Sequence, residues 1–311
     1  MLPPLVSALR SVDIGLPDVA GAERFYTETW NLRVAARMGD AVYLRGTGAD
    51  HHLLALHPAE RAEVRMVTFR APAADALDAV AERAVAAGGK LLASPAAVHE
   101  PGGGRAVLIV DPQGRILRFV HGDAGHAPAV AGGDHPIRLA HAVMNSHDVA
   151  EGQAFFEALG FRLSDRTRIM AFLRIPMQPR GDHHSIALAD ADNDCLNHIA
   201  FVMPDLESVM RGGGRMKDAG YAIEWGPGRH GPGDNAFNYF IGPAGFVIEY
   251  TADVEQVDDR HVARGPEDWR WPPGRVDQWG ISAPPSPLLK LAQREIGFAD
   301  ADVLRNAATA R

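Results

Sequence analysis

Three side chains able to ligate a metal stand on three strand-like segments in the second half of this 311-residue chain. They are His141 at the head of "HAVMNS", His198 in "NHIAF" and Glu249 in "FVIEY". Taken singly, each has an ordinary explanation. A lone strand histidine is more often a satisfied structural group than a ligand, and a glutamate on a pleated strand can simply face water. Together they make two neutral imidazoles and one carboxylate. That is the donor set of a non-heme Fe(II) site, which keeps open positions for a substrate and for O2. Mn(II) suits the same donors.

The set has an internal control, because the chain repeats itself. "PDVAGAERFYTETWNL" (17–32) matches "HDVAEGQAFFEALGF" (147–161), each opened by an Asp able to cap a helix, Asp18 and Asp148. "RMVTFRAP" (65–72) matches "NHIAFVMP" (197–204), and each leads into a helical pattern, 76–89 and 205–221. "VLIVDPQGRILRFV" (107–120) matches "NYFIGPAGFVIEYT" (238–251), a strand, a Pro-x-Gly turn and a second strand. Residues 1–121 are therefore repeated as 137–252, joined by a Gly-, Ala- and Pro-rich linker, 122–136, and followed by a tail, 253–311. The expected fold is α+β: two tandem domains, each of two βαβββ modules forming an open barrel.

Subtracting one copy from the other isolates the chemistry. Opposite His141, His198 and Glu249 the first half carries Ser11, Met66 and Arg118, and a guanidinium repels a divalent cation. A second pair of near-copies, "DHHLLAL" (50–56) and "DHHSIAL" (182–188), is present in both halves, so it belongs to the duplicated scaffold.

Composition narrows the setting. A formal charge of −8 argues against a nucleic-acid groove and an anionic membrane surface. A single cysteine, Cys195, rules out an intrachain disulfide and fits a reducing compartment. The N-terminus lacks the pattern of a signal peptide, and no run of about 18 apolar residues is present. The expectation is a soluble cytoplasmic protein.

On these residues the chain resembles the vicinal-oxygen-chelate superfamily, and within it the type I extradiol catechol dioxygenases of the homoprotocatechuate branch. The resemblance covers residues 8–252 and rests on "HAVMNSHD", "DHHSIAL", "NHIAF", "GPGRHGPGDNAFNYF" and "GFVIEY". It implies Fe(II) held by His141, His198 and Glu249. It also implies that His184 is the acid/base, that Tyr239 and His230 hold substrate oxygens, and that the N-terminal half is an inactive duplicate. His52 and His99 would then be relics of His184 and His230, and His183 a structural neighbour. The implied reaction inserts both atoms of O2 into a catechol, and the implied assembly is a homo-oligomer. Two positions depart from that branch. Trp225 stands where an Arg handles a carboxylate, and Val143 where an Asn stands, so the pocket suits an apolar or bulky substituent.

Rival readings share the fold: a metallo-isomerase or thiol transferase of the glyoxalase and fosfomycin-resistance kind, a metal-free binding module of the bleomycin-resistance kind, and a 2-oxo-acid oxygenase of the hydroxyphenylpyruvate kind. The first does not need His184, His230 and Tyr239 together, the second would not retain three ligands, and the third has a different closing helix. Cys195-x-x-His198 reads as a buried thiol rather than a zinc half-site, because no second pair follows. "ADADND" (189–194) reads as a solvated hairpin loop. In the tail, Trp269, Trp271 and Trp279 could cover a pocket mouth or a subunit interface, and a helix is expected from Pro287 to about Ile296.

Overall fold

The computed structural model describes residues 4–129 and 133–301. In the first half eight strands form: β1 Ala8–Leu16, β2 Arg33–Met38, β3 Ala41–Arg45, β4 Leu54–Pro58, β5 Glu63–Arg70, β6 Lys90–Ala97, β7 Arg105–Val110 and β8 Ile116–His121. The second half has β9 Arg138–Ser146, β10 Arg162–Arg166, β11 Met170–Arg174, a two-residue β12 (Gly181–Asp182), β13 Ile186–Asp190, β14 Leu196–Val202, β15 Trp225–Arg229, β16 Ala236–Ile241 and β17 Val247–Ala252. A further short strand, β18 (Gln256–Val257), pairs with β12.

The sheets run β2-β3-β4-β1-β5-β8-β7-β6 and β10-β11-β13-β9-β14-β17-β16-β15, one order used twice. In each, the first and last strands of a module lie parallel, β1 with β4 and β5 with β8, then β9 with β13 and β14 with β17. An antiparallel seam, β1–β5 or β9–β14, joins the two modules. This is the βαβββ unit expected from the repeats. The edge strands of each sheet do not pair with each other, so neither sheet closes into a barrel.

The helices follow their caps. Asp18 accepts from the Gly21 amide at 2.8 Å and starts α1 (Val19–Arg24), and Asp148 accepts from the Glu151 amide at 3.0 Å and starts α3 (Val149–Ala158). The second modules carry α2 (Ala76–Ala86) and α4 (Leu206–Asp218). The tail helix is shorter than expected, α5 Pro287–Ala292, because the chain turns at Gln293–Glu295.

One core runs through both halves. Trp30, fully buried and belonging to the first half, stacks on Tyr250 of β17 with centroids 3.6 Å apart, and its carbonyl accepts the Tyr250 hydroxyl at 2.8 Å. Phe201 and Phe240 meet the same indole edge-on. The first half thus braces the strand that bears Glu249.

Candidate metal centre and substrate cavity

The three expected ligands come from neighbouring strands by plain register. His141 on β9 and Glu249 on β17 both lie directly across from Ala200 on the central strand β14. His198 is two residues before Ala200, so the pleat presents it on the same face. Irregularities in the β9–β14 ladder fall at Leu196/His198 and at Ala200/Phe201, next to the two histidines, where a bulge re-aims a side chain. All three residues are buried. Their donor atoms lie within 4.8 Å of one another, His141 Nε2 and His198 Nε2 at 3.1 and 3.2 Å from Glu249 Oε2.

The same register confirms the subtraction. Across from Thr68 on β5 lie Ser11 and Arg118. Arg118 pairs with Glu100 at 2.6 Å and Asp13 at 3.4 Å, so a fixed guanidinium occupies the corresponding interior.

Polar neighbours orient the ligands. Asn197 Oδ1 accepts from His198 Nδ1–H at 2.8 Å, which leaves the Nε2 lone pair facing the cluster. Asn235 donates to Glu249 Oε1 at 3.3 Å and to Thr251 at 2.7 Å. Burial alone would raise the Glu249 carboxyl, yet His141 and His198 hold it well below the usual carboxylate range. Burial lowers His198. A buried carboxylate facing two imidazole nitrogens is a fit for a divalent cation, which would neutralise it and use both lone pairs.

His184, Tyr239 and His230 gather around this centre. His184 stacks on His141 with centroids 4.4 Å apart. Burial, then the neighbouring His141, pushes it well below the ordinary histidine range. It lies two residues before the start of its strand, at Ile186. Tyr239 on β16 lies across from Glu249, and its hydroxyl is 3.4 Å from His198 Nε2 and 3.0 Å from His230 Nε2. Burial raises Tyr239 well above the ordinary phenol, with Glu249 adding to it, and burial lowers His230 to about 4. These groups therefore present neutral imidazoles and a protonated phenol near neutral pH.

They open onto a cavity of about 720 Å³ also lined by Val143, Phe172 and Trp225. Trp269 and Trp271 of the tail also line it, and a Cβ at Gly231 would meet both rings. Trp279 instead lies under Arg229. Cys195 is buried and its thiol meets Asn193 Oδ1 at 3.1 Å. His99 is exposed. The residues 191–195 form the loop between β13 and β14. Asn197 and Asn235 escaped the sequence reading, because a polar strand residue beside a ligand carries no pattern of its own.

Residues 8–119 and 138–250 both match the model of the glyoxalase/bleomycin resistance protein/dioxygenase superfamily. The chain belongs to that superfamily. Within it, the chain is 29% identical to Metapyrocatechase 2 of Cupriavidus necator, over 89% of this chain and 91% of the relative. It is similar to the crystal structure of the Mn(II)-bound glyoxalase from Novosphingobium aromaticivorans, with a TM-score of 0.83 and 32% identity over 91% of this chain and 93% of that one. Homoprotocatechuate 2,3-dioxygenase from Arthrobacter globiformis shares the fold, with a TM-score of 0.82 and 22% identity over 96% of this chain and 94% of that one. No helix among the described residues is long and apolar enough to cross a membrane.

Proposed function

We propose that the protein is an extradiol ring-cleaving dioxygenase that uses Fe(II), with Mn(II) able to serve, and inserts both atoms of O2 into a catechol. The reading rests on one observation above others: His141 and His198 of the His141–His198–Glu249 cluster line a cavity that also presents His184, Tyr239 and His230. The kinship with Metapyrocatechase 2 supports it. A metal held by His141, His198 and Glu249 would be chelated by the two adjacent hydroxyls of a catechol, would lower their pKa and would leave a position for O2.

This chain's own residues do the rest. His184, a neutral imidazole beside the chelating ring, takes the proton of a hydroxyl and later returns it to oxygen. Tyr239 and His230 hydrogen-bond the substrate oxygens and steady the charge that develops on them. Trp225, Val143 and Phe172 receive an apolar ring substituent. Residues 137–252 are the catalytic domain, 1–121 the non-catalytic one, 122–136 the linker, and 253–311 a tail that covers the site or an interface and brings Trp269 and Trp271 to the cavity wall. The enzyme works as a cytoplasmic homo-oligomer.

Anaerobic purification, metal analysis and O2 uptake with a panel of catechols test the proposal. One Fe(II) per chain and one O2 consumed per ring opened are expected. The similarity to a Mn(II)-bound glyoxalase favours a second reading, isomerisation without O2. Turnover of a substrate under strict anaerobiosis would select it.

A further inference from the structure

Behind His184 lies a row of buried groups that the proposed chemistry does not use. His183 is fully buried, and its Nε2 is 2.9 Å from Asp165 Oδ2. Its Nδ1 is 3.1 Å from His184 Nδ1. Asp165, also fully buried on β10, receives the backbone amide of Arg264 at 2.9 Å and its Nε at 3.0 Å, with Nη2 2.8 Å from Oδ2. Arg264 belongs to the tail and lies 4.6 Å over the ring of Trp269, which lines the cavity.

We propose that Asp165 and His183 are positioning residues that fix the tautomer of His184, with Arg264 holding Asp165 in place. Each ring nitrogen of a neutral imidazole is either donor or acceptor. Asp165, a carboxylate paired with an arginine, only accepts, so His183 presents Nε2–H to it. His183 Nδ1 is then an acceptor and takes Nδ1–H of His184. His184 Nε2 is left as a lone pair facing the cavity, the form able to remove a proton. The converse arrangement, a doubly protonated His183, would leave Nε2–H there.

The repeat supplies a comparison. The register that sets Asp165 across from Phe172 sets Ala36 across from Tyr43 in the first half. There the histidine pair survives, His51 Nδ1 and His52 Nδ1 at 3.0 Å, while the carboxylate is missing and His52 Nε2 is occupied by Arg10 at 2.5 Å. The carboxylate accompanies the imidazole that faces a cavity and is absent where the imidazole is bonded away.

The inference rests on His184 acting as the base, and its test separates the two. Metal-free protein labelled with 15N-histidine reports each tautomer directly by NMR. Wild type should show His184 protonated at Nδ1 alone. His183→Phe, which leaves the Asp165–Arg264 pair intact, should shift His184 toward Nε2–H. Its kcat should fall by about 10-fold or more, up to the roughly 10²–10⁴-fold of general acid–base catalysis, with KM little changed. His183→Asn restores an acceptor near Nδ1 and should recover the tautomer and most of kcat. His51→Phe, the equivalent change in the first half, should alter neither. Nε2–H in wild type, or an unchanged tautomer in His183→Phe, overturns the proposal. Absence of O2 uptake with every catechol would sink the functional reading alone, since the NMR result needs no turnover.

Discussion

Replacing Asn197 with Ala should weaken metal binding without unfolding the protein. Asn197 Oδ1 is the acceptor for His198 Nδ1–H, at 2.8 Å. Without it, that donor is buried and unpaired, and the ring has an alternative. His198 Nε2 lies 3.2 Å from Glu249 Oε2, so the Nε2–H tautomer would gain a carboxylate partner and cover the lone pair the metal needs. A metal must then reverse that tautomer before binding. Outer-shell partners of ligating histidines are typically worth 10–100-fold in metal affinity. At about 1.4 kcal/mol per decade this is about 1.4–2.8 kcal/mol, in line with the roughly 1–3 kcal/mol for a buried donor left unmade. Competition against a chelator of known affinity, with Mn(II) on metal-depleted protein, measures it, and circular dichroism checks the fold. An affinity within threefold of wild type would refute the idea that Asn197 selects the tautomer.

Other changes reach different parts of the molecule. Glu249→Gln should lower metal affinity by more than Asn197→Ala, because a neutral amide replaces the only anionic ligand; equal metal content after dialysis would contradict this. His184→Phe should keep the metal and lose about 10²–10⁴-fold in kcat, whereas His52→Phe should alter stability at most; equal losses would contradict the division between the copies. Asp123 bears on acid stability. Burial would raise its carboxyl, but Arg70 at 2.8 Å and Arg10 at 3.3 Å hold it below the ordinary value. Its contribution is present above the unfolded pKa of about 4 and fades as pH falls through the lower folded value. Asp123→Asn should therefore cost about 2 kcal/mol in urea melts of metal-free protein at pH 7, and the gap to wild type should narrow near pH 3. Trp225→Ala should raise KM for catechols with bulky apolar substituents more than for catechol itself, as read by O2 uptake.

Much of this architecture was legible because it is written twice. A strand pattern is ambiguous alone, but the same pattern at matching distances from Asp18 and Asp148 fixed both the module and the alignment that exposed Ser11, Met66 and Arg118 as the missing ligands. His184 stood out only by family resemblance, since "DHH" is common to both copies. Asn197, Asn235 and Asp165 stayed hidden for a physical reason. Asn235 and Asp165 act through hydrogen bonds to partners distant in sequence, and Asn197 through one to its neighbour His198. The β9–β14 and β10–β11 ladders contain bulges that carry no local signature. The end of the tail helix was misjudged for a related reason, since turns at Gln293–Glu295 depend on contacts with β14, where Leu196 donates its amide to Ile296.

The stacking of Trp30 on Tyr250 bears on how such a chain can change over generations. A duplicated copy that has lost its chemistry would ordinarily be free to decay or be deleted. Here an indole of the first half packs against the second half at Tyr250, one residue along from Glu249, and its carbonyl anchors the same tyrosine. Deleting residues 1–121 would open a hole against the strand that carries Glu249, exposing Phe201, Phe240 and Tyr250 at once. On the proposed division of labour, residues 1–121 would be indispensable to the fold without taking part in turnover. Attempts to trim the enzyme to a minimal catalyst should keep both copies.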